Sequence, residues 1–66
     1  MKNTIKVERA KLSITQSDLA EAVKVSKQTI HSIESGRFVP STTLSMKIAK
    51  YFNTTVEAIF ELEEGD

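Results

Sequence analysis

A short polar segment, residues 27–37, carries side chains whose donors and acceptors suit base edges and phosphates. Its polar members are Lys27, Gln28, Thr29, His31, Ser32 and Arg37. Ile30 and Ile33 are spaced three apart, so a helix here has one apolar and one polar face. An exposed helical face more often carries Glu and Lys at salt-bridging spacing. The pattern favours a nucleic-acid-binding face, with a solvated surface as the alternative for any single residue.

Two short helices joined by a tight turn must position this face. Thr15 and Asp18 have the spacing of a capping box, which predicts that the first helix begins after Thr15. Ser26 has the type and place of a second N-cap, and Gly36 is suited to end the helix in the left-handed conformation. The segment 16–35 is therefore predicted to be a helix-turn-helix.

The ordered set of motifs resembles the Xre family, the phage-repressor and Cro type of DNA-binding domain. The matching segments are Thr15 to Ala20, Val25 to Ile30, Ile33 to Arg37, and Pro40-Ser41. The resemblance extends from about Ile5 to Phe60 and implies an all-α, five-helix, lambda-repressor-like fold that forms one domain over residues 1–66. The departure is Lys24, where the family usually has Gly. A left-handed Lys at this turn should cost about 1 kcal/mol.

The resemblance also implies roles for individual side chains. Lys27, Gln28 and Ser32 are the base-reading candidates, because Lys suits guanine acceptors and Gln can pair with adenine. The phosphate candidates are Gln16, Ser17, Thr29, Arg37 and Ser41, with Thr42 as a further choice. His31 is expected to be solvated rather than on a phosphate. Arg9 and Glu34 are expected to form a largely buried ion pair that ties the first helix to the third.

Composition sets limits on other functions. The 66 residues include no Cys and one His, so thiolate chemistry and a multi-histidine metal site are excluded. The chain has no glycine-rich phosphate loop and no apolar run of about 18 residues. We therefore expect a cytoplasmic, non-enzymatic protein without a cofactor, a metal or a membrane partner.

Charge is distributed unevenly along a chain whose formal net charge is zero. Residues 1–37 carry seven basic and four acidic side chains, a balance of +3, and residues 38–66 carry two and five, a balance of −3. Such a dipolar chain can turn its basic end towards phosphates. The small excess of basic groups predicts modest non-specific affinity.

Apolar spacing predicts the remaining helices. Ile5 to Lys11 forms the first, with Ile5 and Leu12 on one face, and Thr42 to Phe52 forms the fourth, with Leu44, Ile48, Tyr51 and Phe52 as its stripe. Thr55 caps a short fifth helix. Phe38, in the loop before Pro40, is expected to pack on the core rather than touch DNA.

The acidic tail, residues 61–66, leaves alternatives open. It is either a frayed terminus or part of a homodimer seam made by Ile59, Phe60 and Leu62, with residues 60–63 extended against the amino-terminal residues or not. The function expected is a sequence-specific double-stranded DNA-binding repressor that binds an inverted repeat as a homodimer. An antitoxin or other regulator that binds a second protein through its acidic end is the alternative.

Overall fold

The computed structural model describes all 66 residues and contains five helices and one pair of short strands. The elements in chain order are β1 (Lys2–Asn3), α1 (Ile5–Leu12), α2 (Gln16–Val23), α3 (Lys27–Glu34), α4 (Thr42–Tyr51), α5 (Val56–Ile59) and β2 (Phe60–Glu61). The two strands pair antiparallel, with Lys2 opposite Glu61 and Asn3 opposite Phe60. The all-α fold with a terminal strand pairing is thus confirmed.

The helix starts follow the capping residues in the sequence. The hydroxyl oxygens of Thr15, Ser26, Ser41 and Thr55 each accept a hydrogen bond from the backbone N–H three residues later. At Thr15 the capping box is complete, because the Asp18 carboxylate also accepts from the Thr15 N–H at 2.9 Å. Such a cap is worth about 1 kcal/mol. Four of the five helices therefore begin directly after a residue whose side chain caps the first turn.

One hydrophobic core holds the helices together. Its fully buried large side chains are Ile5, Leu19, Ile30, Ile33 and Ile48, one or more from each of the first four helices. Ala20, 3 % exposed, lies in this core on α2. Its small side chain suits the close packing of α2 against α3.

Several aromatic and apolar side chains lie elsewhere than their spacing predicts. Phe38 is 48 % exposed, so the prediction that it covers the core is wrong. Tyr51 and Leu12 are 40 % and 51 % exposed, because each lies in the last turn of its helix, where the core no longer covers that face. Periodicity identifies a face but not how far along the helix the neighbouring elements extend.

The carboxyl-terminal apolar residues also require a correction. Ile59 and Phe60 are 2 % and 7 % exposed and belong to the core of their own chain, where β2 returns alongside β1. This burial removes them from the expected homodimer seam and leaves Leu62, 76 % exposed, as its remaining member.

None of the helices has the length and apolar character needed to span a membrane.

Candidate nucleic-acid interface

The polar face of α3 is anchored from behind by two isoleucines. Ile30 and Ile33 are 0 % and 1 % exposed, whereas Lys27, Gln28 and His31 are exposed. Successive residues turn by about 100° around a helix, which places these three side chains within one sector opposite the isoleucines. The rigid core thus holds one helix with its polar face directed outward.

The base-reading candidates differ in accessibility. Lys27 and Gln28 are exposed in the first turn of α3, and neither side chain is engaged in a hydrogen bond or ion pair within the chain. Ser32 is half-buried, although its hydroxyl lies on the same side of the helix. The first turn therefore offers the longest and freest donors.

The turn between α2 and α3 fixes the direction of this helix. Lys24 ends α2 with φ 64° and ψ 43°, so this lysine adopts the left-handed conformation. Its N–H still donates to α2 carbonyls, and the Val25 N–H donates to the Ala20 carbonyl oxygen at 3.0 Å. The three residues 24–26 thus connect the two helices, and the N–H groups of Lys24 and Val25 remain bonded to carbonyl oxygens of α2.

The five phosphate candidates occupy different environments. Ser17 and Arg37 are exposed and without a partner in the chain, and Arg37 follows Gly36, which has φ 80°. The Ser41 oxygen accepts from the Leu44 N–H at 3.1 Å, which leaves its own O–H free to donate. The Thr29 hydroxyl is 2.9 Å from that of Ser26 and half-buried, so it is the least available of the set.

Gln16, the fifth candidate, is tied to an ion pair. Its Nε2 donates to Glu34 Oε1 at 3.3 Å. Glu34 in turn accepts from Arg9 Nε at 2.7 Å and from Arg9 Nη2 at 3.0 Å, while Arg9 Nη1 donates to the Ile14 carbonyl oxygen at 3.1 Å. Arg9 and Glu34 are therefore a bidentate pair between α1 and α3, with side chains 15 % and 9 % exposed.

This pair changes the titration of its carboxylate. Desolvation by itself would raise the pKa of Glu34, but hydrogen bonds from Arg9 and Gln16, together with the charges of Arg9 and Lys6, outweigh it and lower that pKa. The pKa of Arg9 is raised, chiefly by its hydrogen bond to Glu34. Both groups are thus held in their charged forms.

The spacing of His31 relative to Lys27 indicates that His31 lies on the same helical face as the base-reading candidates. His31 comes four residues after Lys27 and is exposed on the same face of α3, next to the base-reading candidates. For Lys6 the sequence pattern contains no such signal. It lies in α1, far from the helix-turn-helix in sequence, yet it lines the same polar cleft as Gln16 and His31.

No group of three or more His, Cys, Asp or Glu side chains lies close enough to hold a metal ion. The chemistry available at this surface is hydrogen bonding and charge, supplied by side chains from α1, α2, α3 and the loop after α3. Such groups can bind an anionic polymer and distinguish its base edges.

Known proteins share this arrangement. The sequence profile of a helix-turn-helix family matches residues 5–59. An HTH-type transcriptional regulator of Methanocaldococcus jannaschii is 47 % identical over 66 residues, which is 100 % of both chains. The HTH-type regulator YgzD of Bacillus subtilis is 45 % identical over 64 residues, 97 % of each chain. Both relatives are described as uncharacterized.

A solved structure is similar in fold. The crystal structure of the clp gene regulator ClgR from Corynebacterium glutamicum superimposes with a TM-score of 0.73 at 29 % identity. The match covers 79 % of the present chain and 55 % of the ClgR chain, so the present chain spans little more than half the length of that regulator. The likeness therefore concerns the helical domain.

Proposed function

Because this chain belongs to the Xre-type helix-turn-helix family of DNA-binding transcriptional regulators, we propose that it binds a specific double-stranded DNA operator and represses transcription there. The observation that carries the proposal is the exposed polar face of α3 on its buried isoleucine support. An α-helix fits the major groove of B-DNA, where each base pair presents a distinct pattern of donors and acceptors. The amino end of α3 enters first.

Lys27 and Gln28 then read bases. The Lys27 ammonium donates to guanine O6 and N7, and the Gln28 amide pairs with the N6 and N7 atoms of adenine, each worth about 1 to 3 kcal/mol of discrimination. Ser32, which is shorter and half-buried, contributes less. Gln16, Ser17, Arg37 and Ser41 hold phosphates on either side. Thr29 does so when the Ser26 hydroxyl donates to it, because its own O–H is then free to donate to a phosphate.

We further propose that the protein acts as a homodimer. The chain measures 31 × 22 × 20 Å, so two copies side by side can set their α3 helices about 34 Å apart, one turn of DNA. Met46 is 60 % exposed and borders a shallow groove that reaches Val56, and this groove provides an apolar surface in addition to the exposed Leu62. The operator is then an inverted repeat with half-sites about 10 base pairs apart.

Repression follows most simply from occupancy, since a dimer bound over a promoter excludes polymerase. A protein with this task acts where the chromosome is, in the cytoplasm of a prokaryotic cell.

Selection of bound duplexes from a random library tests the proposal. We expect an inverted repeat that binds about a thousandfold or more tightly than random DNA. Lys27→Ala and Gln28→Ala should relax the preference at separate base pairs, whereas the control Lys50→Ala, on α4, should leave the preferred sequence unchanged. If no sequence is enriched and binding disappears with added salt, the proposal of a specific regulator fails.

A second candidate function rests on the exposed tail. Leu62 projects from between Glu61 and Glu63 and is 76 % exposed, a pattern suited to a protein partner with a basic, apolar surface. In an antitoxin or partner-binding regulator, Leu62→Asp would abolish the complex with that protein and leave the affinity for DNA unchanged. Equal loss of DNA binding would instead place Leu62 in the homodimer.

A further inference from the structure

We propose that the polar cleft between α1, α2 and α3 holds one phosphate of the DNA backbone, through Lys6 and Gln16. This α1–α3 cleft is lined by Lys6, Arg9, Gln16, His31, Glu34 and two neighbouring polar side chains, and no apolar side chain lines it. The inference rests on the proposed DNA-binding function. It adds an α1 residue to a surface otherwise made by the helix-turn-helix and the loop after it.

The charge balance of the cleft favours an anion. Glu34 supplies its one negative charge, and Arg9 neutralises it through two hydrogen bonds of 2.7 and 3.0 Å. Lys6 is exposed and makes no ion pair or hydrogen bond within the chain, so the two cations Lys6 and Arg9 face one carboxylate and the cleft keeps a net positive charge. A phosphodiester oxygen beside Lys6 would supply the missing partner.

Glu34 also prepares Gln16 for the same ligand. The Gln16 Nε2 group has two N–H donors, and one of them is directed to Glu34 Oε1 at 3.3 Å. This bond fixes which end of the amide faces the carboxylate and leaves the second N–H free. Glu34 therefore acts as a positioning residue, and Gln16 and Lys6 make the contacts with phosphate.

The cleft also lies beside the exposed face of α3 that is proposed to read bases. His31 lines it and belongs to the exposed face of α3, four residues after Lys27. The cleft therefore adjoins the base-reading surface directly. When a helix enters the major groove, the phosphates that border the groove lie beside the contacted bases, and contacts to them fix the register of the protein.

Methylphosphonate scanning of the selected operator tests this site, since each substitution removes the charge of one phosphate. The variants are Lys6→Ala and Gln16→Ala. The control is Lys11→Ala, on the same helix, where Lys11 is already paired with Glu8 at 3.1 Å. Lys6 and Lys11 are both exposed, so thermal melting should show all three proteins folded.

We expect wild type and Lys11→Ala to lose affinity when one particular phosphate in each half-site is neutralised. Lys6→Ala and Gln16→Ala should each lose less affinity than wild type when that same phosphate is neutralised, because one of its two contacts is already absent. Lys6→Ala should also weaken binding to all sequences alike and reduce the slope of log K against log salt concentration by about 0.9.

The inference is overturned if Lys6→Ala binds like Lys11→Ala, or if it weakens binding and yet loses as much affinity as wild type at every methylphosphonate. In both cases the selected operator still binds, so the proposed function stands. If wild type selects no operator, the proposed function and this inference fail together.

Discussion

At the scale of single residues, the bidentate contact between Arg9 and Glu34 connects stability with the nucleic-acid surface. The pair joins α1 to α3, and Gln16 adds α2 through its bond to Glu34 Oε1. The three helices are thus linked by polar contacts at the edge of the core as well as by apolar packing inside it. Charge-assisted bonds in such a partly buried place are worth more than those on an open surface.

Arg9→Ala should lower the free energy of unfolding by about 2 kcal/mol, because it leaves a largely buried carboxylate without its partner. In a domain of this size that is a fall of about 8 to 16 °C in melting temperature. The matched control is Lys11→Ala, which removes the exposed pair with Glu8 and should change stability by less than about 0.5 kcal/mol. Equal melting temperatures for the two variants would refute a structural role for Arg9.

The same contact predicts a dependence on pH. The pKa of Glu34 is lowered from its ordinary value of 4.5, so the stabilisation is complete above about pH 4.5 and is lost as the pH falls through the lowered pKa. In Arg9→Ala, no arginine offsets the desolvation of the Glu34 carboxylate, so the charged carboxylate destabilises the folded protein. Protonation of Glu34 at low pH removes this destabilisation. Thermal melts from pH 7 to pH 3 should therefore show the two proteins converging in acid. A difference in melting temperature that stays constant from pH 7 to pH 3 would contradict this explanation.

At the scale of elements, the connections between helices use side chains where glycine is more usual. Ser13, Lys24 and Asn53 have φ of 56°, 64° and 56° at the ends of α1, α2 and α4. Each such residue carries a conformational cost that the surrounding packing must offset. The turn at Lys24 differs from the other two because it also sets the direction of α3, the helix proposed to contact DNA.

Lys24→Gly should raise the free energy of unfolding by about 0.5 to 1 kcal/mol, because glycine adopts the left-handed conformation without strain. The same exchange in the interior of α4, Lys47→Gly, should lower it by about 1 kcal/mol, since glycine is a poor helix former. Denaturant titrations of both variants measure the two signs. A destabilised Lys24→Gly would show that the lysine side chain contributes packing that offsets the strain.

At the scale of the whole molecule, the two ends of the chain meet. β1 and β2 pair although they lie at opposite ends of the sequence, and Phe60, in β2, belongs to the core. This closure buries Ile59 and Phe60, two of the three residues predicted to form a homodimer seam. The apolar residues left for a second copy are exposed ones, among them Met46 and Leu62.

Met46→Glu tests the dimer at this scale. It should shift the protein towards the monomer in sedimentation measurements and weaken operator binding at least tenfold, because a charge is placed in an apolar interface. Val7→Glu is the control, since Val7 is 55 % exposed against 60 % for Met46 and lies on α1. If both variants keep the mass and affinity of wild type, the dimer surface lies elsewhere.

The starts of α2, α3, α4 and α5 can be predicted from the amino-acid sequence, because the groups that form each cap lie close together in the chain. Thr15, Ser26, Ser41 and Thr55 each bond to an N–H three residues later, so their identity is sufficient to place the caps. The pairing of Arg9 with Glu34 was expected from the family resemblance, because residue spacing alone does not predict a contact between two helices.

Which apolar residues are covered and which polar residues share a surface depends instead on how distant segments pack together. Phe38 and Tyr51 are exposed and Phe60 is buried, although all three are apolar aromatic residues near helix ends. Lys6 and Gln16 line one cleft although they lie on different helices. These outcomes depend on contacts between segments far apart in the chain, and the type and spacing of residues within one segment carry no information about which distant segment will pack against it.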